Sequence, residues 1–103
     1  MRVIAKKTFK EFWFLHPDSE QPLKAWHNEV VDSKWKNPGE IKLKFNSASI
    51  ISNKRIVFNI KGNNYRLVTD IEYNLGIVFI VWIGTHSEYD KINIKDIKYG
   101  KTY

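Results

Sequence analysis

The sequence predicts an α+β domain: an antiparallel sheet of about four strands, mixed at one edge, with two N-terminal helices packed on one face in the order β-α-α-β-β-β. Three observations carry this. Between Lys54 and Ile83 three apolar strands are separated by two glycine-containing turns, the pattern of a meander. Between Phe9 and Val31 the apolar residues instead recur at helical spacing. Ahead of both stands Arg2-Val3-Ile4-Ala5, short and β-branched, which reads as a first strand able to join the later sheet. At 103 residues the chain makes one domain, 1–103, large enough to bury a core without disulfide or metal staples.

After that first strand, Thr8 can cap a helix in which Phe9, Phe12, Trp13 and His16 fall on one side. These aromatics read as core rather than as a stacking platform for bases. His16 reads as a favourable charge at the negative end of the helix dipole, not as a ligand. His16-Pro17-Asp18-Ser19 breaks the helix, and Ser19 with Pro22 inside the first turn can open a second one. Leu23, Trp26 and Val30 form its apolar stripe, with Val31 beside it and His27 as a surface histidine. The two helices make an antiparallel hairpin that can cover one face of the sheet.

Asn37-Pro38-Gly39 ends this region, and Glu40 to Ile51 reads as a connection, a short strand or an irregular segment pinned by Ile41, Leu43 and Phe45. In the next strand Ile56, Phe58 and Ile60 alternate with Arg55, Val57, Asn59 and Lys61, the two-residue repeat of a strand with one buried face. Gly62-Asn63-Asn64 supplies residues that tolerate positive φ for a hairpin. Tyr65, Leu67, Thr69 and Ile71 then share one face, and Arg66, Val68 and Asp70 the other. Asn74-Leu75-Gly76 turns the chain again. From Ile77 to Ile83 every residue is apolar, so this strand lies inside the sheet with both faces at least partly covered. It delivers the polar cluster Thr85-His86-Ser87-Glu88-Tyr89-Asp90-Lys91 to the end of the sheet. Beyond it, 93–103 holds Lys95, Lys98 and Lys101 against Asp96 and reads as a flexible basic tail or a short helix ending before Gly100.

Composition narrows the chemistry. With no cysteine, a zinc knuckle, a thiol nucleophile and a disulfide frame are all excluded, which fits a reducing compartment. The start, MRVIAKKTFKEF, has no apolar signal region, and the longest apolar run, Ile77 to Ile83, is too short to cross a bilayer. The expected location is the cytoplasm, with no membrane partner. Net charge is +6, and Lys34, Lys36, Lys42, Lys44, Lys54, Arg55 and Lys61 stand against Glu40 alone in their segment. Such an excess attracts polyanions, nucleic acid ahead of an anionic membrane because no basic amphipathic helix accompanies it. The alternative is a solvated lysine face.

The scattered glycines form no phosphate loop. Asp70, Glu72, Glu88 and Asp90 are not spaced as a metal site, and no nucleophile-elbow pattern is present. No metal or cofactor is expected. A metal-free phosphotransfer within RNA asks for less, because the substrate's own 2′-hydroxyl is the nucleophile. The protein then supplies a base, a cation for the phosphate and an acid for the departing 5′-oxygen. Arg66, His86, Tyr89 and a nearby lysine can provide these, and the need for a 2′-hydroxyl makes DNA inert. Thr85-His86-Ser87-Glu88 also matches a capping box, in which His86 is only a first helical residue. Arg66 likewise has a plain alternative as a cross-strand partner of Glu72 or Asp70.

Two segments carry a family resemblance: Arg55-Ile56-Val57-Phe58-Asn59-Ile60-Lys61-Gly62-Asn63-Asn64-Tyr65-Arg66-Leu67 and Gly84-Thr85-His86-Ser87-Glu88-Tyr89-Asp90-Lys91. At these residues the chain resembles the HigB toxins of bacterial type II toxin–antitoxin pairs, a branch of the RelE-like superfamily, and the similarity runs from Arg2-Val3-Ile4 to about Ile94. The resemblance implies a RelE-like fold and an mRNA interferase acting on message in the ribosomal A site and leaving a cyclic phosphate. It implies a helix-turn-helix antitoxin of the HigA kind as partner, with DNA met only through that complex. Carried over residue by residue, Arg66 becomes the phosphate cation, and His86 with Tyr89 the candidates for proton transfer or for holding the base. Lys54, Arg55, Lys61, Asn63 and Lys91 become candidate RNA contacts. The tail matches no family pattern. Two readings from other classes stay open, a basic nucleic-acid or ribosome binding module without catalysis and a protein-interaction domain whose positive face meets an acidic partner.

Overall fold

A computed structural model describes residues 1–5 and 9–98. The elements are β1 (Arg2–Ala5), α1 (Phe9–Leu15), a 3-10 turn (Pro17–Ser19), α2 (Glu20–Val31), α3 (Pro38–Lys44), β2 (Ser49–Ile50), β3 (Arg55–Ile60), β4 (Tyr65–Glu72), β5 (Ile77–Thr85) and α4 (His86–Tyr89). The α+β class and the mixed sheet edge are as expected. Five strands lie in the order β1-β5-β4-β3-β2, with β1 parallel to β5 and every other pairing antiparallel. The parallel contact is possible because the rest of the chain intervenes between those two strands, a crossover no tight turn provides.

The helices cover one face. Leu23, Trp26 and Val30 of α2 are buried against Ile56, Phe58, Leu67, Ile71 and Val78 of the sheet, and Phe9, Phe12 and Trp13 of α1 pack partly buried around them. Trp26 meets Phe58 edge-on at 5.3 Å and Phe9 at 5.9 Å, a favoured aromatic geometry. The α1 aromatics are therefore core. The proposed Thr8 cap lies outside the described residues. Ser19 precedes α2 as expected but does not cap it: its hydroxyl donates back to the His16 carbonyl at 2.7 Å, which tightens the turn instead. His27 is exposed, and Val31 lies off the buried stripe.

Three expectations are corrected. The Glu40–Ile51 connection contains a helix, α3, followed by a two-residue edge strand, β2. Asn37 caps that helix by accepting from the Glu40 amide at 3.0 Å, Pro38 fills its first turn, and Glu40 accepts from the Lys36 amide at 2.7 Å. That is helix-start chemistry, and Leu43, expected to pin the segment, is 88% exposed. Second, β3 is buried on both faces: Val57 joins Val68, Val81 and Trp82 in a smaller apolar cluster behind the sheet. Third, the positive φ angles of the β3–β4 turn fall on Lys61 (52°) and Gly62 (61°), not on the asparagines.

The smaller cluster is covered by the chain after α4, where Ile92, Ile94 and Ile97 lie against it. The segment read as a flexible tail or a short helix is instead a turn-containing strap through 93–98, packed by Ile94 and Ile97, and 99–103 lie outside the described residues. No helix among the described residues is long and apolar enough to cross a membrane.

Candidate active site

The pleat of β4 puts Tyr65, Leu67 and Ile71 against the helices and turns Arg66 to the opposite face. In register, Arg66 lies between Asn59 of β3 and Gly84 of β5, and Tyr65 is opposite Thr85. Gly84 leaves room that no other residue would leave. A Cβ there would sit 2.4 Å from the Trp82 ring and 2.9 Å from Glu88 Oε1.

Thr85 ends the strand and starts α4. Its hydroxyl accepts from the Glu88 amide at 3.1 Å, and the Glu88 carboxylate accepts from the Thr85 amide at 2.8 Å, so the capping box forms as read. The cap does not reduce His86 to a bystander, because the single turn it starts carries Tyr89 back over the sheet. The Tyr89 ring lies 6.2 Å from that of Trp82, and the Arg66 guanidinium carbon stands 5.8 Å from its centroid, within cation–π range. Neither alternative partner takes Arg66, since Asp70 binds Arg55 and Glu72 binds Lys54.

Both Arg66 and His86 are tied to the β3–β4 turn. Arg66 Nη1 donates to the Asn63 carbonyl at 3.0 Å, and the His86 amide donates to the Asn64 carbonyl at 3.0 Å. His86 Nδ1 lies 3.0 Å from Asp90 Oδ2. With Nδ1 engaged by that carboxylate, Nε2 is the ring nitrogen left for proton exchange with a ligand, the role of a general base. Burial pushes the Tyr89 hydroxyl above the usual tyrosine range, with Asp90 adding to the shift and Arg66 opposing it. At neutral pH Tyr89 therefore keeps its proton and can donate it, but cannot take one.

Among the expected RNA contacts, Asn63 and Lys91 are exposed at this end of the sheet, Asn63 also accepting from Asn59 at 3.3 Å. The other three have work inside the fold. Arg55 is buried at the far end of β3, where Nε and Nη2 donate to the two Asp70 carboxylate oxygens at 2.8 Å. Its Nη1 donates to the Ile94 carbonyl at 2.9 Å and to that of Ile97. Lys54 pairs with Glu72 at 3.0 Å and Lys61 with Asp18 at 2.8 Å. Lys44 pairs with Glu29, and Lys42 donates to the Ala48 carbonyl. Lys44, Lys54, Arg55 and Lys61 of the basic run from Lys34 to Lys61 thus each pair with a carboxylate, and the charge argument for a polyanion partner falls on fewer residues than composition suggested.

Two site residues went unnoticed in the sequence. Asn59 has Arg66's face by simple alternation, and Asp90 follows His86 at the i,i+4 spacing that brings side chains together on a helix.

The family model described as "HigB_toxin, RelE-like toxic component of a toxin-antitoxin system" matches residues 19–92. The chain is similar to an mRNA interferase HigB of Escherichia coli O6:H1, 27% identical over 94 residues that cover 89% of this chain and 91% of the relative. It is 29% identical over 92 residues to the mRNA interferase toxin HigB of Escherichia coli K12, covering 87% of this chain and 88% of that one. An mRNA interferase HigB of Shigella flexneri matches to the same extent. With the matched segment spanning α2 to α4, and so the strands β2 to β5 and the Arg66, His86 and Tyr89 end of the sheet, the chain belongs to the HigB toxin family, the RelE-like toxic component of a toxin–antitoxin system.

Proposed function

We propose that this chain is an mRNA interferase that cuts message on the ribosome by attack of the substrate's own 2′-hydroxyl, and that a HigA-like helix-turn-helix antitoxin neutralises it in the cytoplasm. The observation that carries the reading is the grouping at one sheet end of a guanidinium over Tyr89 and, held by the same turn, an imidazole with its Nδ1 engaged by Asp90. Arg66 stabilises charge on the crowded phosphate. His86 Nε2 takes the 2′-hydroxyl proton, and the protonated Tyr89 hydroxyl donates to the departing 5′-oxygen. Asn63 and Lys91 contact the RNA beside the cut.

The test is a cleavage map of message in translating extract with the wild-type protein and with His86→Ala. A loss of about 10²-fold or more is expected from removal of a proton-transfer group, and the wild-type product should carry a cyclic phosphate. A message with a 2′-deoxy nucleotide at the cut position should survive intact. Undiminished cutting by His86→Ala, or cutting of the deoxy substrate, removes the proposed chemistry. Salt-sensitive binding to ribosomes with the RNA left whole would favour a binding module instead.

A further inference from the structure

We propose that Asp18, in the connection between α1 and α2, is a positioning residue for the Arg66 and His86 site, acting from the opposite side of the sheet by clamping the β3–β4 turn. The inference rests on the reading of that site as the cutting site and adds a residue well removed from it in sequence.

One carboxylate holds both ends of the turn. Lys61, its first residue, places Nζ 2.8 Å from Asp18 Oδ2, and Tyr65, the residue that follows it, donates its hydroxyl to Asp18 Oδ1. Between these anchors lie the two carbonyls that matter: Asn63 accepts from the Arg66 guanidinium and Asn64 from the His86 amide. A shift of the turn therefore moves both groups at once. The turn also has a reason to need holding. Lys61 sits at φ 52°, in the left-handed region where a Cβ crowds the backbone and glycine or asparagine is the usual occupant. The ion pair with Asp18 joins a residue in this unfavourable conformation to the helix layer.

Asp18 itself is well fixed. Ser19 is fully buried, and its amide and hydroxyl both bond the His16 carbonyl, at 2.9 and 2.7 Å. The Tyr65 ring meets Phe12 edge-on at 5.4 Å and lies 5.4 Å from His16. The competing account is an ordinary surface ion pair, since Asp18 and Lys61 side chains are each 44% exposed, and such pairs contribute little to stability. The two accounts differ in what they predict for catalysis, where small misplacements are costly.

The experiment uses the full chain with Asp18→Asn, Lys61→Gly and the double substitution. Glycine adopts the turn's φ without strain, so the Lys61→Gly background removes the need for the clamp. Asp18→Asn should slow single-turnover cleavage at saturating ribosomes about tenfold while ribosome binding changes less than about twofold, the split expected of lost positioning. The His86 amide, followed by NMR, should exchange faster. In the Lys61→Gly background the same substitution should slow cleavage less than about threefold, the non-additivity of coupled residues. Unchanged cutting with Asp18→Asn overturns the proposal, as does an effect confined to binding or an equal loss in both backgrounds. If the wild-type chain cuts no RNA, the cutting reading fails and the His86 amide still decides the clamp: faster exchange upholds it, unchanged exchange ends it.

Discussion

Arg55 and Arg66 are guanidiniums on the same face of one sheet, on adjacent strands, and their surroundings are opposite. Arg55 pairs in register with Asp70 and Arg66 with Asn59, which sets them four residues apart along the strand, roughly 13 Å at about 3.3 Å per residue. At the Arg55 end the chain after α4 crosses the sheet, and its Ile94 and Ile97 carbonyls complete a shell begun by Asp70. At the Arg66 end Nη1 donates to the Asn63 carbonyl and, among the described residues, the side chain against the guanidinium is the face of Tyr89, and the remaining donors of the fork can meet a phosphate. The same residue type holds the fold together where a carboxylate and backbone oxygens desolvate it, and serves a ligand where an aromatic plane leaves its edge open.

The contrast can be broken at either end. Arg55→Ala should have the largest effect, about 3–5 kcal/mol of stability, because it leaves the Asp70 carboxylate buried without its counter-ion. Urea unfolding measures it, and a loss under about 1 kcal/mol would mean that the pair is not the structural one. Gly84→Ala comes next. Its Cβ must displace a Trp82 ring packed among Val57, Val68, Val81 and Tyr89, an overpacking worth about 1–3 kcal/mol, and cutting should fall as Tyr89 shifts from Arg66. Wild-type melting and cutting in Gly84→Ala would show that the Trp82 and Tyr89 stack does not position the site. Lys54→Ala should cost under about 1 kcal/mol, since its pair with Glu72 is exposed on both sides, and should leave cutting unchanged. A large cleavage defect there would extend the RNA path to the Arg55 end.

A smaller effect appears only in alkali. The hydrogen bond to Asp18 raises the Tyr65 hydroxyl to about 12, with burial and the Asp18 charge assisting. A folded-state pKa above the unfolded value stabilises the neutral form, so the contribution is complete below about 10 and disappears as pH rises through about 12. The melting-temperature difference between wild type and Tyr65→Phe should therefore be flat from neutrality to about pH 10 and shrink above it. A difference that shrinks below that range would show that the Asp18 bond is not what Tyr65 contributes.

What could be read from the sequence was what is local. The strand built on Ile56, Phe58 and Ile60, the unbroken apolar run of β5 and the Thr85 to Glu88 box are each complete within one short segment, and all three elements form, although β3 is covered on both faces and not on one. In α3 the alternation of Ile41, Leu43 and Phe45 imitates a strand, while Asn37, Pro38 and Glu40 carry the helix-start chemistry that prevails. The roles of the cations were hidden for a different reason. Arg55 finds Asp70 fifteen residues on and carbonyls about forty residues on, and Lys61 finds Asp18 forty-three residues back. Periodicity and spacing report neighbours in the chain, and a basic count cannot separate a lysine facing solvent from one paired across the fold. Arg66, His86 and Tyr89 can be grouped from sequence because short polar stretches at the facing ends of two hairpin strands are brought together by the register itself.

The most direct measurement is the cleavage rate of Arg66→Ala, taken on protein whose urea midpoint is recorded in the same preparation. If the open guanidinium is the phosphate cation, cutting falls about 10²–10³-fold, the loss expected when a transition-state donor is removed, while the unfolding free energy drawn from that midpoint stays within about 0.5 kcal/mol of wild type, as for a substitution outside the core. Cutting at the wild-type rate by a folded Arg66→Ala protein would contradict the account.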